Sequence, residues 1–172
     1  MFDDGSKAEA FNELFKSVYG QDNGVLPATV PPKQPRGDCF LSSVYFSEVS
    51  IANKISKLKS HGSPGLDGMV PIIFKELSSV LCNPICYLFN LSFSSGVVPS
   101  AWKSAVVVPI HKKGSNNKPE NYRPISLCSI ISKIIESIIK DEIISHCMVN
   151  ELLCNNQFSF VPGKSTNLQL LQ

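Results

Sequence analysis

The stretch that decides the fold is residues 104–127, SAVVVPIHKKGSNNKPENYRPISL. It contains two short runs rich in β-branched residues, 104–110 and 123–127, on either side of a polar segment. Valine and isoleucine favour extended backbone, while glycine, asparagine and proline favour turns. The pattern therefore predicts two strands joined by a long basic turn.

The sequence after the second strand has a helical period. Isoleucines recur every four residues from Ile130 to Ile138 and again from Ile131 to Ile139, which predicts a helix from Ser129 with a broad apolar stripe. Isoleucine is only a modest helix former, so packing must stabilise this helix. Near the end of the chain, Ser165 and Thr166 are placed to cap another helix.

The first forty residues predict one helix and a linker. Ser6 and Glu9 have the spacing of a capping box, and the apolar residues that follow predict an amphipathic helix ending near Gly20. Residues 21–39 contain four prolines and predict a loop, so residues 1–20 are expected to dock separately. The apolar stripe of the helix is Phe11, Leu14, Phe15 and Val18.

Three further helices are predicted before the first strand. One starts at Ser47, a second covers residues 71–81, and a third begins at Asn83 and Pro84 and ends near Gly96. The last two are apolar enough that most of their side chains are expected to be buried. The first of the three is expected to bury Val49, Ala52, Ile55 and Leu58.

Composition and charge narrow the functional classes. The chain has 172 residues, of which 43% are hydrophobic and 17% charged, which is typical of packed globular protein and argues against disorder or a coiled coil. The formal net charge is only +2, but residues 102–123 carry five basic groups and one acidic group. If the chain contacts phosphate, the contact is therefore expected in that segment.

Neither a membrane span nor a zinc site is expected. Residues 77–102 lack charged side chains, yet their asparagines, prolines and serines are costly in hydrocarbon, so a buried helix pair is the better interpretation. The cysteines show no C-x-x-C pair and the start of the chain shows no signal segment, which predicts reduced, buried thiols in a cytoplasmic or nuclear protein that is not secreted. These cysteines are Cys39, Cys82, Cys86, Cys128, Cys147 and Cys154.

The sequence offers a phosphate-binding element but no complete active site. The neighbouring carboxylates, Asp3 with Asp4 and Asp141 with Glu142, do not form a convincing metal clamp, so no catalytic residue and no metal ligand is predicted. An arginine at the start of a strand can bond two phosphate oxygens, and lysines on a turn can follow a moving phosphate. A solvated turn remains the alternative. The basic group consists of Lys112, Lys113, Lys118 and Arg123, with Gly114 in the turn.

Four segments together carry a resemblance to a known family. The string VVVPIHKKGSNNKPENYRPISLCSIISKIIE, residues 106–136, resembles the fingers hairpin and following helix of reverse transcriptases from non-LTR retrotransposons, the LINE-like jockey group. KAEAFNELFKSVYG (7–20), ISKLKSHGSPGLDGMVPIIFKEL (55–77) and QFSFVPGKST (157–166) resemble flanking segments of that family. Only residues 21–40 have no counterpart.

The resemblance implies roles for individual residues. Arg123 would contact the triphosphate of the incoming nucleotide, and Lys112 and Lys113 would contact phosphate of the nucleotide or template. Two further groups would lie near the template strand, although the first could equally serve only as a bend before a helix. They are Ser63, Gly65, Asp67 and Gly68, and then Gln157, Phe160, Gly163 and Lys164.

The chain departs from the family pattern at two places in its last block. Ser159 stands where the family has glycine, and Val161 stands where arginine is frequent. A required glycine there would make Ser159 damaging to the site. The family's catalytic aspartates follow this block on palm strands, so the 172 residues alone are expected to lack polymerase activity.

These observations lead to a prediction for the whole chain. The predicted fold class is α+β and mainly helical, the fingers part of a polymerase-type right hand with one β-hairpin and with the palm largely missing. Residues 1–40 are predicted to form an N-terminal helix and a linker. Residues 41–172 are predicted to form the fingers region, truncated before the catalytic palm. The resemblance implies an RNA template, a DNA primer, a deoxynucleoside triphosphate and the missing palm domain as partners, with Mg²⁺ only in the full-length enzyme. The alternative is a noncatalytic helical fragment that binds nucleic acid or protein, including a decayed transposon relic.

Overall fold

The computed structural model describes residues 3–18, 40–154, 157–158, 161–165, 167 and 170. In these residues the chain is mainly helical with one two-stranded antiparallel sheet, which confirms the predicted α+β class. A short 3₁₀ turn at Pro119–Asn121 lies between the strands. The elements are α1 (Asp4–Ser17), α2 (Glu48–Ser56), α3 (Pro71–Glu76), α4 (Ser78–Ser95), α5 (Ser100–Lys103), β1 (Ala105–His111), β2 (Tyr122–Cys128) and α6 (Ile130–Val149).

The hydrophobic core lies between α2, α4 and α6. Phe46, in the extended segment before α2, is fully buried, and its ring packs edge-on against Phe89 of α4 with 5.5 Å between centroids. The backbone of this segment is held as well, because the Asn90 amide donates to the Phe46 carbonyl at 3.0 Å. The isoleucine stripe of α6 closes the core with Ile130, Ile134, Ile135 and Ile138, as its spacing predicts.

The strands pair in the register that their alternation requires. Ala105 lies opposite Cys128 and His111 lies opposite Tyr122, so the hairpin is paired along its whole length. Side chains of directly paired residues share a face of an antiparallel sheet. The strand prediction is confirmed, with β1 shifted by one residue along the chain and β2 longer than predicted by one residue at each end.

Helix ends follow local chemistry, with one correction. Ser47 and Ser129 cap α2 and α6 with their side chains, and Gly96 ends α4 at φ 67°, a left-handed conformation that suits glycine. The predicted capping box at Ser6 is wrong. Asp3 is the N-cap of α1 and accepts from the backbone N–H of Ser6, because aspartate caps a helix as well as serine does.

The predicted pattern of burial in the helices needs correction. Ile51 rather than Val49 is buried in α2, since Val49 is 70% exposed. The helix predicted over 71–81 is interrupted at Leu77, which separates α3 from α4. Pro84 lies inside α4 rather than at its start. Many large apolar side chains of α3 and α4 are exposed, so most of this helix pair is not buried: Ile72, Ile73, Leu77, Val80, Tyr87, Leu88, Leu91 and Phe93.

Some predictions lie outside the described residues. They include the linker at 21–39 and the cap at Thr166. Within the described part of the chain, no helix is both long enough and apolar enough to cross a membrane.

Candidate functional site

The turn that joins β1 to β2 is held by its own hydrogen bonds. The Lys112 backbone N–H donates to the Asn121 carbonyl at 2.8 Å, and the Asn121 amide donates to the Ser115 carbonyl at 2.7 Å. The Tyr122 hydroxyl donates to the Asn116 carbonyl at 3.1 Å. Gly114 adopts φ 83°, a left-handed conformation that favours glycine, and a Cβ there would lie 2.8 Å from the Asn121 side chain, which would have to shift.

The basic side chains project from this ordered turn into solvent. Lys112, Lys113, Lys118 and Arg123 are all exposed. The strand ladder holds the Arg123 backbone opposite Ile110, whereas its guanidinium forms no ion pair with any residue that the structure describes. The turn therefore presents four cations on a constrained backbone to any external anion.

Arg123 and Tyr122 lie on opposite faces of the hairpin, although they are adjacent in sequence. Arg123 shares its face with Ile110 and Ile125, which are 51% and 44% exposed. Tyr122 belongs to the other face, where its ring contacts His111 at 5.2 Å between centroids. Arg123 therefore shares its face with exposed aliphatic side chains, and Tyr122 is not placed to stack on the same ligand.

Helix α1 lies on the Tyr122 face. The Phe11 ring packs edge-on against Tyr122 with 4.8 Å between centroids, and Phe15 stacks on Phe11. A groove of about 620 Å³ separates the rest of α1 from the strands. Its walls are Asp4, Lys7, Ala8, Phe11, Asn12, Phe15 and Lys16 from the helix, and Val107, Pro109, Pro124 and Ser126 from the hairpin. The Arg123 face is thus opposite to the one that α1 covers.

The base of the hairpin is fixed by two buried serines. The Ser132 hydroxyl donates to the Trp102 carbonyl at 3.0 Å and lies 2.8 Å from the Ser129 hydroxyl, which in turn caps α6. Trp102 precedes β1 and Ser129 follows β2. One side chain therefore links both ends of the hairpin to the first turn of α6.

The SPGLDG turn packs against this base. A Cβ on Gly65 would lie 2.7 Å from the Ser129 nitrogen, so no side chain fits there. The Gly68 N–H donates to the Gly65 carbonyl, and Asp67 accepts from the Met69 N–H at 3.1 Å. Ser63, Asp67 and Gly68 are exposed, whereas Gly65 is buried. The turn is about 20 Å from Arg123 along β2, so the structure does not bring these two predicted sites together.

The last predicted group lies at the other end of α6. The ammonium of Lys164 lies 4.9 Å from the ring centroid of Phe158, which is buried. Gly163 has φ 77°, and a Cβ added there would meet no atom within 4 Å. Pro162 lines a cavity with residues from Lys140 to Val149 of α6. Gln157 is described, whereas Phe160 and Ser159 lie outside the described residues. The two groups predicted to lie near the template are therefore separated by much of the length of α6, which is about 30 Å at 1.5 Å per residue.

The described cysteines are free thiols, but the prediction that they are buried is wrong for most of them, since only Cys82 is buried and Cys154 is exposed. Cys39 lies outside the described residues. The Cys86 thiol lies 3.2 Å from the Phe46 carbonyl, and burial, followed by the Glu48 charge, raises its pKa above the usual value. A raised pKa keeps the thiol protonated. Among the described residues no group of three or more histidine, cysteine, aspartate or glutamate side chains could hold a metal ion.

Two contacts of this region have no signal in the sequence. The Ser132–Trp102 bond joins residues 30 positions apart, and the Lys54 ammonium pairs with Asp141 across 87 positions, from α2 to α6. Serine in a first helical turn predicts a local cap, and a lysine between apolar residues predicts solvent exposure. Only the packing of the helices shows that both reach a distant segment.

Comparison with known proteins identifies relatives of this chain. No family model matches it. It is 32% identical over 117 residues to the "Probable RNA-directed DNA polymerase from transposon BS" of Drosophila melanogaster, covering 67% of this chain and 13% of that protein. It is 32% identical over 131 residues to the "RNA-directed DNA polymerase from mobile element jockey" of the same organism, covering 76% and 14%. The chain spans about one seventh of the length of these curated relatives.

Proposed function

This chain is homologous to a segment of the RNA-directed DNA polymerases of non-LTR retrotransposons, and on that premise we propose that it is a fingers fragment of such a polymerase. Residues 41–172 form the fingers region and residues 1–40 an N-terminal helix and linker. Arg123, Lys112 and Lys113 contribute contacts to the triphosphate of a deoxynucleotide and to nucleic-acid phosphate. The residues around Gly65 and Gly163 contribute contacts to the template.

One observation carries this proposal. The turn between β1 and β2 is ordered by backbone and side-chain hydrogen bonds, yet its four cations have no ion-pair partner in the described part of the chain. Like charges held close together repel one another, and a phosphate group offsets that repulsion while accepting several charge-assisted hydrogen bonds. Ordered cations that lack internal partners are typical of an anion-binding element.

A binding titration of the full 172-residue chain tests the proposal. Labelled RNA and a deoxynucleoside triphosphate should bind with salt-dependent affinity, and Arg123→Ala should weaken binding about 10- to 100-fold, because a charged hydrogen bond contributes about 1.5–3 kcal/mol. Arg123→Lys should restore only part of the affinity, since lysine cannot form the bidentate contact. Lys57→Ala, which removes an exposed cation at the end of α2, is the matched control. Equal affinity in all four proteins would refute the proposal.

We infer that the catalytic aspartates of the family are not among these 172 residues. Family enzymes use Mg²⁺, and we assign no step through a metal to this chain. We therefore expect no primer extension by the purified chain with an RNA template, a DNA primer, Mg²⁺ and all four deoxynucleotides. Incorporation that survives repeated purification would show that a catalytic site had been missed.

A second candidate function is supported by the surface of α4. Its exposed residues Val80, Tyr87 and Leu91 recur along one side of the helix, as in a face that another protein segment covers. The chain would then act as a noncatalytic interaction fragment, including a transposon relic. Phosphate binding that depends on Arg123 favours the first function, whereas its absence in a folded chain favours the second.

A further inference from the structure

The hairpin that carries Arg123 is joined to the helical core at a buried junction. Ser132 is 1% exposed, and its hydroxyl donates to the Trp102 carbonyl at 3.0 Å. The same hydroxyl lies 2.8 Å from that of Ser129, which accepts the N–H of Ser132 at 3.1 Å. Four segments therefore meet within hydrogen-bond or van der Waals distance: the end of α5, the end of β2, the start of α6 and the SPGLDG turn.

Few other described contacts hold the hairpin at its base. The Trp102 ring packs edge-on against Phe89 of the core with 5.6 Å between centroids, and Leu127 and Cys128 at the end of β2 are half-buried. α1 covers the Tyr122 face further along the hairpin, whereas most of the Arg123 face is exposed. A two-stranded ribbon is marginally stable alone, and its direction depends on where its ends are anchored. The junction therefore contributes to the angle between hairpin and core.

We propose that Ser132 is a positioning residue that sets the location of the Arg123 guanidinium, together with Ser129 and the close approach of Gly65. This inference rests on the proposed function, because Arg123 is the group whose position matters. Arg123 lies about 20 Å from Ser129, so a rotation of a few degrees at the base displaces the guanidinium by about 1 Å. A displacement of that size is large for an oriented contact.

A matched pair of serine variants separates positioning from simple stability. Ser132→Ala removes the bond to Trp102, whereas Ser92→Ala removes an equivalent bond, from the buried Ser92 hydroxyl to the Val97 carbonyl at 2.7 Å. Ser92 lies in α4, away from the hairpin base. Ser92→Ala loses one buried hydrogen bond and Ser132→Ala loses that to Trp102 together with the contact to Ser129, so the thermal stability should fall in both variants and somewhat more in Ser132→Ala.

The decisive measurement is the orientation of the hairpin in solution. Residual dipolar couplings of the amides in β1 and β2 should fit the same alignment as those of α2, α4 and α6 in the unaltered chain and in Ser92→Ala. In Ser132→Ala the dipolar couplings of the β1 and β2 amides should become smaller, or should fit only if the hairpin has a different orientation relative to the helices. The Arg123-dependent affinity for a deoxynucleoside triphosphate should also fall roughly three- to tenfold. Unchanged couplings in Ser132→Ala would overturn the inference, as would altered couplings with unchanged affinity.

A second variant keeps the test valid if Ser132→Ala does not fold. Gly65→Ala introduces a Cβ that must displace the Ser129 backbone, and it should move the hairpin couplings in the same way. Unaltered hairpin couplings in folded Gly65→Ala would also overturn the inference. Absence of Arg123-dependent binding in the unaltered chain would count against the proposed function, and the couplings would still decide whether the junction orients the hairpin.

Discussion

Two glycines of the SPGLDG turn show that identical residues can be required for different reasons. A Cβ on Gly65 would lie 2.7 Å from the Ser129 backbone, whereas a Cβ on Gly68 would meet nothing within 4 Å. Gly68 instead adopts φ 69°, which favours glycine but which asparagine tolerates. Space is limiting at the first position and backbone conformation at the second.

These reasons predict that Gly65 tolerates substitution less well than Gly68 does. Gly65→Ala should lower the free energy of unfolding by about 1–3 kcal/mol, because the added carbon overpacks a backbone contact. Gly68→Asn should lower it by less than about 1 kcal/mol, since its side chain points into open space. Chemical denaturation of both variants measures the difference, and equal losses would mean that Ser129 moves aside at little cost.

The contact between Lys54 and Asp141 predicts a pH dependence. The hydrogen bond from Lys54 lowers the pKa of Asp141 below its ordinary value of 3.8. A carboxylate whose pKa is lowered by folding stabilises the fold fully above pH 3.8, and this contribution is lost as the pH falls through the lowered pKa. Asp141 is about half exposed, so solvent screening limits the contribution to about 0.5–1 kcal/mol.

Asp141→Asn should therefore destabilise the chain at pH 6 but not below the folded pKa of Asp141. Urea unfolding at pH 6 and at successively lower pH values measures this, with Glu142→Gln as the control, because Glu142 forms no ion pair among the described residues. A destabilisation by Asp141→Asn that stays constant down to pH 2 would show that the charge is not its source.

At the scale of elements, α4 tolerates a proline that would ordinarily end a helix. Pro84 has no N–H to donate to the Val80 carbonyl, and the sequence therefore predicts a boundary there. The helix nevertheless continues, because Cys82, Ile85 and Phe89 are buried on both sides of the proline. Tertiary packing supplies more free energy than the lost hydrogen bond removes.

Replacing this proline should stabilise the chain. Pro84→Ala restores a backbone donor at an exposed position, so the free energy of unfolding should rise by about 1–2 kcal/mol. Ser94→Ala, another exposed position in α4, should change it by less than about 0.5 kcal/mol. Thermal unfolding followed by circular dichroism is the measurement. A lower melting temperature for Pro84→Ala would mean that the ring packs productively.

At the scale of the whole molecule, apolar surface is concentrated on α3 and α4. Leu77, Val80, Tyr87 and Leu91 are each 48% exposed or more, and no charged residue lies between 77 and 102. Contiguous apolar surface of this kind favours association in water. The purified chain is therefore expected to self-associate as its concentration rises.

A charge on this face should suppress that association. Tyr87→Lys should shift the sedimentation profile towards monomer, whereas Val149→Lys should not, because Val149 is 79% exposed at the far end of α6. Analytical ultracentrifugation over a range of concentrations distinguishes the two variants. If both lysines acted equally, net charge rather than the α4 face would account for the effect.

The sequence by itself determined the local elements, because the forces that form them act between near neighbours. The β-branched runs on either side of the basic turn specified the hairpin, and Ser47, Ser129 and Gly96 specified three of the helix ends. The family relationship likewise followed from residue order and spacing. The start of α1 was not specified in this way, since both Asp3 and Ser6 are capable caps and Asp3 is the one used.

Only the tertiary structure decided which faces are buried and which predicted site residues lie together. It buried Ile51 in place of Val49, continued α4 through Pro84, and separated the SPGLDG turn from Arg123 by the length of β2. The physical reason is that burial and long-range contact depend on helix packing, which joins residues such as Ser132 and Trp102 that no local pattern relates.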